Sequence, residues 1–139
     1  MQTPQQSQTS ESSNELSELI KDIKITMLTV ADGEGAFMSR PMYPQEMDEA
    51  GDLWFFASEG SEQTMLIPQD GRVILNYAGT DIGRYVVVYG TGELSKDRAK
   101  MEALWSPNMK AWFPEGLEDP EICLIKITPE SAEYWDTPG

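Results

Sequence analysis

The sequence predicts a mainly β domain with flanking helices, arranged as a small barrel or a sandwich. Six short runs are rich in β-branched and apolar residues, and turn residues such as Gly and Asp separate them. Other segments carry helix-capping signals or apolar residues at helical spacing. Many short strands joined by hairpin turns favour a barrel or a sandwich.

The first half of the chain predicts a helix, a hairpin, a buried strand and a second helix. Ser12 and Glu15 have the spacing of a capping box at the start of the first helix. The strand-like runs 24–31 and 36–43 are joined by the turn "DGEG". The strand "LWFFAS" (53–58) leads into a helix over 60–70, which we expect to close at Pro68.

The second half predicts three further strands and a helical insertion. We expect strands at 71–78, 83–94 and 121–136, the last of them interrupted at its proline. Gly90 and Gly92 indicate a bulge or bend. Ser95 is expected to cap a helix over 96–105, and Ser106 with Pro107 to begin another.

Composition limits the class of protein. A chain of 139 residues predicts one domain, over 14–139, preceded by a polar and disordered tail over 1–13. The formal net charge of −14 argues against binding to nucleic acid, whose phosphates require basic partners. No apolar run approaches the ~20 residues of a membrane span, and the N-terminus lacks the features of a secretory signal. A cytoplasmic location is therefore expected.

The absence of histidine excludes several kinds of site. Without histidine there is no Ser-His or Cys-His nucleophile pair and no haem with a proximal histidine, and the usual zinc sites are excluded as well. The single cysteine, Cys123, lies in an apolar run and is expected to be a buried hydrophobe. We predict no metal site, so any chemistry must come from carboxylates or from a bound cofactor.

Two segments are candidates for binding an anion. Arg40, in "SRPM", is either a surface residue or a set of fixed donors for a group such as phosphate. The segment "ASEGSEQT" (57–64) opens a helix and contains Ser58, Ser61 and Thr64, which suit either an anion site or simple N-capping. The short connection between the strands 36–43 and 53–58 suggests that they are neighbours, which would bring the two segments together.

The aromatic residues have two interpretations. Trp54, Phe55 and Phe56 are consecutive in one strand, so they must point to both of its faces. Each aromatic residue taken alone is expected to fill the core. Four tryptophans in a small acidic domain also make a dimer interface or a pocket for a flat ligand plausible.

The order of these motifs resembles one family of proteins. The motifs are "SRPM", "LWFFAS", the serine-containing helix start, "YVVVYGTGEL", "LWSPNMKAWFPEGLEDP" and "AEYWD". Together they resemble the pyridoxamine 5′-phosphate oxidase-like superfamily, and more narrowly its bacterial general stress protein branch. The most specific stretch is "LWSPNMKAWFPEGLEDP", and the likeness covers roughly residues 14–137.

The resemblance implies an FMN-binding split β-barrel that works as a homodimer, with two flavin sites across the interface. One strand along the flavin would supply Arg40, Pro41 and Met42, and a second would supply Phe55, Phe56, Ala57 and Ser58. The segment that holds the phosphate would be Ser61, Glu62, Gln63 and Thr64. The other subunit would contribute Tyr85 and Trp112, and Trp105 is a further candidate.

The chain departs from the family's pattern at specific positions. The family usually has Lys where this chain has Gln63, classical oxidases have Arg at Glu62, and a basic residue is missing at Gln45. The C-terminal Trp and Arg segment of the vitamin B6 oxidases is also absent, which argues against oxidation of pyridoxamine phosphate.

Three functions follow from these observations. The first is a dimeric flavoprotein, with or without oxidoreductase activity on an unknown small substrate, in which no side chain is evident as a general base. The second is a non-catalytic binding protein with a degraded phosphate site. The third is a purely structural or interaction domain.

Overall fold

The computed structural model describes residues 8–9, 13–43 and 47–136. Its strands are β1 (Gln8–Thr9), β2 (Thr26–Ala31), β3 (Phe37–Met42), β4 (Leu53–Ser58), β5 (Arg72–Gly79), β6 (Arg84–Ser95) and β7 (Ile122–Asp136). Its helices are α1 (Ser13–Ile20), α2 (Glu62–Asp70) and α3 (Arg98–Leu104), with 3-10 helices at Pro107–Ala111 and Gly116–Glu118. None of the described helices is long and apolar enough to cross a lipid bilayer.

Most of the tail that was expected to be disordered lies outside the described residues. Within it, Gln8 and Thr9 pair with Tyr134 and Glu133 of β7, and Ser13 already belongs to α1. Strand pairing therefore extends into a segment that its polar composition predicted to be disordered.

All seven strands form one antiparallel sheet in the order β1-β7-β6-β5-β2-β3, with β4 paired to β7. The long strand β7 organises this arrangement. It pairs with β6 along one edge, while its other edge pairs first with β4 and later with β1. Paired strands therefore run from β3 through β2, β5, β6 and β7 to β4. Strands β3 and β4 are the two ends of this series.

A single apolar cluster shows that the sheet curls. Its most buried members come from five different strands and are at most 1 % exposed: Leu28, Phe55, Leu75, Val88 and Ile125. Because side chains from most of the sheet meet in one cluster, the sheet wraps around its own core. The structure thus resolves the choice between barrel and sandwich in favour of a curled half-barrel.

Two prolines lie inside regular elements, where the sequence predicted an end or a break. Helix α2 continues past Pro68 to Asp70 and ends at Gly71, whose φ of 84° is in the left-handed region. Strand β7 continues through Pro129, which pairs with Gly90 at a shift of register between β6 and β7. The predicted bulge at Gly90 is therefore confirmed, and it accommodates the proline that was expected to break the strand.

The helical insertion after β6 covers the second face of β4. Asp97 caps α3 by accepting a hydrogen bond from the Lys100 amide, so the prediction of Ser95 as the cap was wrong. A second apolar cluster joins this insertion to the sheet, and the Phe56 and Trp105 rings meet edge to face at 5.5 Å. Strand β4 is consequently buried on both faces, and the insertion is held beside the end of β4.

Candidate functional site

A cavity of about 160 Å³ lies where β3, β4 and the start of α2 meet. Ten of the fourteen residues that the resemblance implied for the site line it: Arg40, Pro41, Met42, Phe56, Ala57, Ser58, Ser61, Gln63, Thr64 and Trp112. The structure therefore brings together segments that are up to 72 positions apart in the sequence, from 40 to 112.

The two strands that flank the cavity are not paired with each other. The expectation that they are neighbours in the sheet was wrong, because β3 pairs with β2 and β4 pairs with β7. They meet instead as the two ends of a curled sheet. The cavity occupies the opening between those ends.

Four predicted residues do not line the cavity, namely Phe55, Glu62, Tyr85 and Trp105. Phe55 is 1 % exposed and belongs to the main core, because alternation along β4 turns it away from Phe56. Tyr85 lies on β6 opposite Ala78 and Trp135, with 41 % of its surface exposed, and it does not line the cavity. Its proposed contact across a dimer interface stays a prediction.

Trp112 lines the cavity of its own chain. The contribution to the other subunit's site that the resemblance implied stays a prediction. The Trp112 backbone follows the 3-10 helix Pro107–Ala111, which packs on β4 through the buried side chain of Met109. The side chain is 47 % exposed, so it forms part of the rim.

Three further residues line the cavity and were not predicted: Tyr43, Met109 and Phe113. The aromatic pair Trp112–Phe113 in "AWFP" was a signal that could have indicated Phe113. Nothing in the sequence distinguishes Met109 from an ordinary core residue, since only the docking of the insertion on β4 brings it to the cavity.

Arg40 differs from the other arginines because it has no acidic partner among the described residues. Arg72, Arg84 and Arg98 each form an ion pair with a carboxylate. Arg40 forms no ion pair with any described residue, although its chain carries 24 acidic residues against 10 basic ones. Among the described residues that line the cavity, its guanidinium is the only cation. It is therefore available to bind an anion.

The start of α2 adds hydroxyl groups to the same end of the cavity. Ser61 is the N-cap, and its Oγ accepts a hydrogen bond from the Thr64 amide at 3.2 Å. The Ser61 hydroxyl in turn donates to Thr64 Oγ1 at 2.7 Å. This pairing leaves the Thr64 hydroxyl proton available for another acceptor. Predicted N-capping is thus confirmed, and the residues that perform it also line the cavity.

Gln63 and Glu62 have separate surroundings. Gln63 is 4 % exposed, and its Nε2 donates to the Leu28 carbonyl oxygen at 2.8 Å, which holds α2 against β2. Glu62 is exposed and does not line this cavity. It lines a neighbouring hollow together with Asp32 and Glu34. Gln45 lies outside the described residues.

The cavity therefore has two chemically different parts. Arg40, the serine and threonine hydroxyls and the amides at the start of α2 suit an anionic group. Phe56, Trp112 and Phe113 provide aromatic surface for a flat ring. Neither a carboxylate nor a thiol is present among the described lining residues, so a bound cofactor would have to supply any redox chemistry.

Comparison with known proteins identifies relatives along nearly the whole chain. A family model described as pyridoxamine 5′-phosphate oxidase like matches residues 11–139. Protein bli-3 of Neurospora crassa is 28 % identical over an alignment of 131 positions, and the match covers 87 % of this chain. The chain spans 63 % of the length of that curated relative.

Solved structures show the same fold. A general stress protein 26 from Jannaschia sp. CCS1 is 30 % identical, with a TM-score of 0.76, over 91 % of this chain and 79 % of that one. A general stress FMN/FAD binding protein from Xanthomonas citri is 26 % identical, with a TM-score of 0.77, over 91 % of this chain and 89 % of that one.

Proposed function

Because the chain belongs to the pyridoxamine 5′-phosphate oxidase-like family, we propose that the cavity between β3 and β4 binds a flavin, namely FMN. The observation that carries this proposal is the position of Arg40. The one arginine without a carboxylate partner among the described residues lies beside a capped helix start and an aromatic wall. The similarity to a general stress FMN/FAD binding protein supports the same ligand class.

The residues present fit such a ligand. Arg40 would form charge-assisted hydrogen bonds with the phosphate, and Ser58, Ser61 and Thr64 would add neutral ones. Gln63 keeps α2 in place through Leu28 and takes little part in binding the phosphate directly. The departure from lysine at this position therefore removes one charge from the site but preserves the anchoring of α2.

The ring system would rest on the apolar part of the cavity. Phe56 is fixed by its contact with Trp105, so it offers a rigid surface. Trp112, at the rim, would cover the ring and exclude water from one side. When bound, the flavin supplies hydride or electron transfer, and the protein orients it.

We further propose that a second copy of the chain completes the site. The cavity of about 160 Å³ is smaller than the roughly 300–1,000 Å³ that is usual for ligand pockets. The outer face of the sheet also exposes large apolar side chains, among them Met27, Phe37, Tyr85 and Tyr89. Exposed apolar surface of this kind favours association. Tyr85 lies on that face, which makes it the candidate to reach the partner's cavity.

Static light scattering tests the dimer. We expect a mass about twice that of the 15.6 kDa chain. A monomer at protein concentrations that bind FMN would contradict both the dimer and the role given to Tyr85. The Tyr85→Ala variant tests the role of Tyr85 separately from dimer formation. Loss of FMN affinity in a variant that is still dimeric indicates that Tyr85 makes a contact across the interface.

Titration with FMN tests the flavin proposal. We expect quenching of flavin fluorescence and a shift of the visible absorbance band, saturating at one FMN per chain. The absence of any spectral change at high FMN concentration would contradict the proposal. A protein that binds no flavin but remains dimeric would instead support a structural or interaction role.

Two functions remain for a protein that does bind FMN. The described cavity lining contains no carboxylate or histidine, which is consistent with flavin chemistry alone or with binding without turnover. Mixing the loaded protein with a reduced nicotinamide nucleotide under anaerobic conditions distinguishes them. Bleaching of the flavin band faster than that of free FMN indicates an oxidoreductase, and an equal rate indicates a binding protein.

A further inference from the structure

The loop that opens α2 is held in place from outside the cavity. Ser58 and Ser61, the first and last residues of this loop, line the cavity. Glu59 and Gly60, which lie between them, do not line it. The contacts that fix the middle of the loop therefore determine where the two serine hydroxyls lie.

Glu59 is tied to neighbouring segments by both its backbone and its side chain. Its amide donates to the Glu121 carbonyl oxygen at 2.9 Å, which joins the loop to the residue that precedes β7. Its carboxylate Oε1 accepts a hydrogen bond from Lys96 Nζ at 2.7 Å. The Glu59 side chain thus points away from the cavity and toward Lys96.

Lys96 is itself fixed, so it can anchor the loop. Its Nζ also donates to the Pro120 carbonyl oxygen at 3.0 Å, and an ammonium group has enough N–H donors for both acceptors. Lys96 follows the last residue of β6, and Pro120 is the last residue of the insertion over 97–120, so this bond closes the base of the insertion. One ammonium group therefore joins the end of β6, the approach to β7 and the loop that opens α2.

Lys96 acts on the cavity only through the loop. It does not line the cavity, and its charge is paired with Glu59. The aromatic part of the site has its own support, because Phe56 and Phe113 pack in the second apolar cluster. The influence of Lys96 is therefore confined to the group that Ser58 and Ser61 would bind.

We propose that Lys96 is a positioning residue for the flavin phosphate, and that it acts through Glu59 to hold Ser58 and Ser61 in place. This inference rests on the proposed flavin function. Hydrogen bonds weaken steeply when their distance or angle departs from the preferred range, so a loop released from its anchor binds the phosphate less well. The ring-binding part of the cavity stays intact.

The Lys96→Met variant tests the proposal. Methionine keeps an unbranched apolar side chain but cannot donate to Glu59 or Pro120. We expect FMN to bind about three- to fivefold more weakly, because the ion pair is about half exposed and such pairs contribute modestly. The affinity for riboflavin, which has no phosphate, should change by less than about twofold. Fluorescence titration measures both affinities, and thermal unfolding checks that the variant is folded.

The Glu59→Ala variant separates positioning from a direct effect of the lysine charge. If Lys96 acts through Glu59, loss of this carboxylate weakens FMN binding about as much as Lys96→Met does. If Lys96 instead attracts the phosphate, Glu59→Ala frees the ammonium group and strengthens FMN binding. Under the proposal, the double variant Lys96→Met/Glu59→Ala loses no more affinity than either single variant, because both changes break the same bond.

The matched control is Lys21→Met. Lys21 also pairs with a glutamate, Glu18, at 2.8 Å, and its side chain is 50 % exposed against 48 % for Lys96. It follows α1 and does not line the cavity. We expect its affinity for both flavins to stay within about twofold of that of the wild type. A loss of FMN affinity as large as that in Lys96→Met would contradict a specific role for Lys96.

Two further results would overturn the inference while leaving the flavin proposal intact. One is an FMN affinity that Lys96→Met leaves unchanged, or lowers only as much as the riboflavin affinity. The other is tighter binding of FMN by Glu59→Ala. If neither flavin binds to the wild-type protein, the proposed function fails, and the role of Lys96 fails with it.

Discussion

Replacement of Arg40 with Gln is expected to weaken the binding of FMN by about 10- to 100-fold, because hydrogen bonds to a charged group contribute roughly 1.5–3 kcal/mol. Among the described residues, this arginine supplies the only positive charge in the cavity lining, and no acidic side chain competes for it. Glutamine keeps part of the length and polarity of the side chain but removes the charge. The affinity for riboflavin, which has no phosphate, should change by less than about twofold, since charge-assisted bonding does not contribute to it.

Fluorescence titrations of both flavins in both proteins measure this effect as a thermodynamic cycle. The ratio of the FMN and riboflavin affinities isolates the contribution of the phosphate from changes in the rest of the site. Arg98→Gln is the control, because it removes the same charge from an exposed position on α3 that does not line the cavity. If Arg40→Gln weakens both flavins equally, Arg40 shapes the cavity and does not bind the phosphate.

Replacement of Gly90 with Ala is expected to lower the free energy of unfolding by about 3 kcal/mol, as overpacking against rigid neighbours does. A Cβ on Gly90 would be 2.3 Å from the carbonyl oxygen of Thr128, which belongs to the backbone of β7. This close approach occurs at the register shift opposite Pro129, where β7 passes from its pairing with β4 toward its pairing with β1. Relief of the clash requires β6 and β7 to separate, which weakens the longest ladder of the sheet.

Thermal unfolding at a fixed protein concentration measures the change. We expect the melting temperature to fall by roughly 10 °C for a domain of this size. Gly92→Ala, two residues away on β6, is the matched control. Its Cβ would lie 3.3 Å from Val73 Cγ1, a side-chain atom that can move, so the loss should stay below about 1 kcal/mol. If Gly90→Ala and Gly92→Ala lower the free energy of unfolding by similar amounts, glycine flexibility, and not the close approach to Thr128, determines the loss of stability.

Much of the fold could be predicted because its signals are local. The strand "LWFFAS" was predicted with its observed bounds, since apolar residues between turn signals need no distant partner to be recognised. The hairpin of β2 and β3 and the bulge at Gly90 were predicted for the same reason. The predictions at Pro68 and Pro129 were wrong because proline commonly marks the end of a helix or strand. Whether the helix or strand does end there depends on neighbouring elements that tolerate the missing N–H group.

The candidate site could be predicted in composition but not in arrangement. Arg40, Ser61 and Thr64 were selected as residue types suited to an anion, and the structure places them around one cavity. Phe55 was wrongly included because the likeness of a motif does not say which face of a strand looks into a site. Met109 was missed because its position depends on the packing of the insertion over 97–120.

The sequence by itself determined the local elements, the strongly acidic surface, the absence of histidine chemistry and the residue types that an anion would need. Those properties depend on composition and on spacing over a few residues. Only the tertiary structure decided that β3 and β4 approach as the two ends of a curled sheet, with the site in the opening between them. That approach depends on the long pairing of β7 with both β6 and β4, and such pairing between distant segments leaves no local pattern in the chain. Helical geometry at the start of α2 turns Glu62 toward a neighbouring hollow, although it lies between two residues that line the cavity.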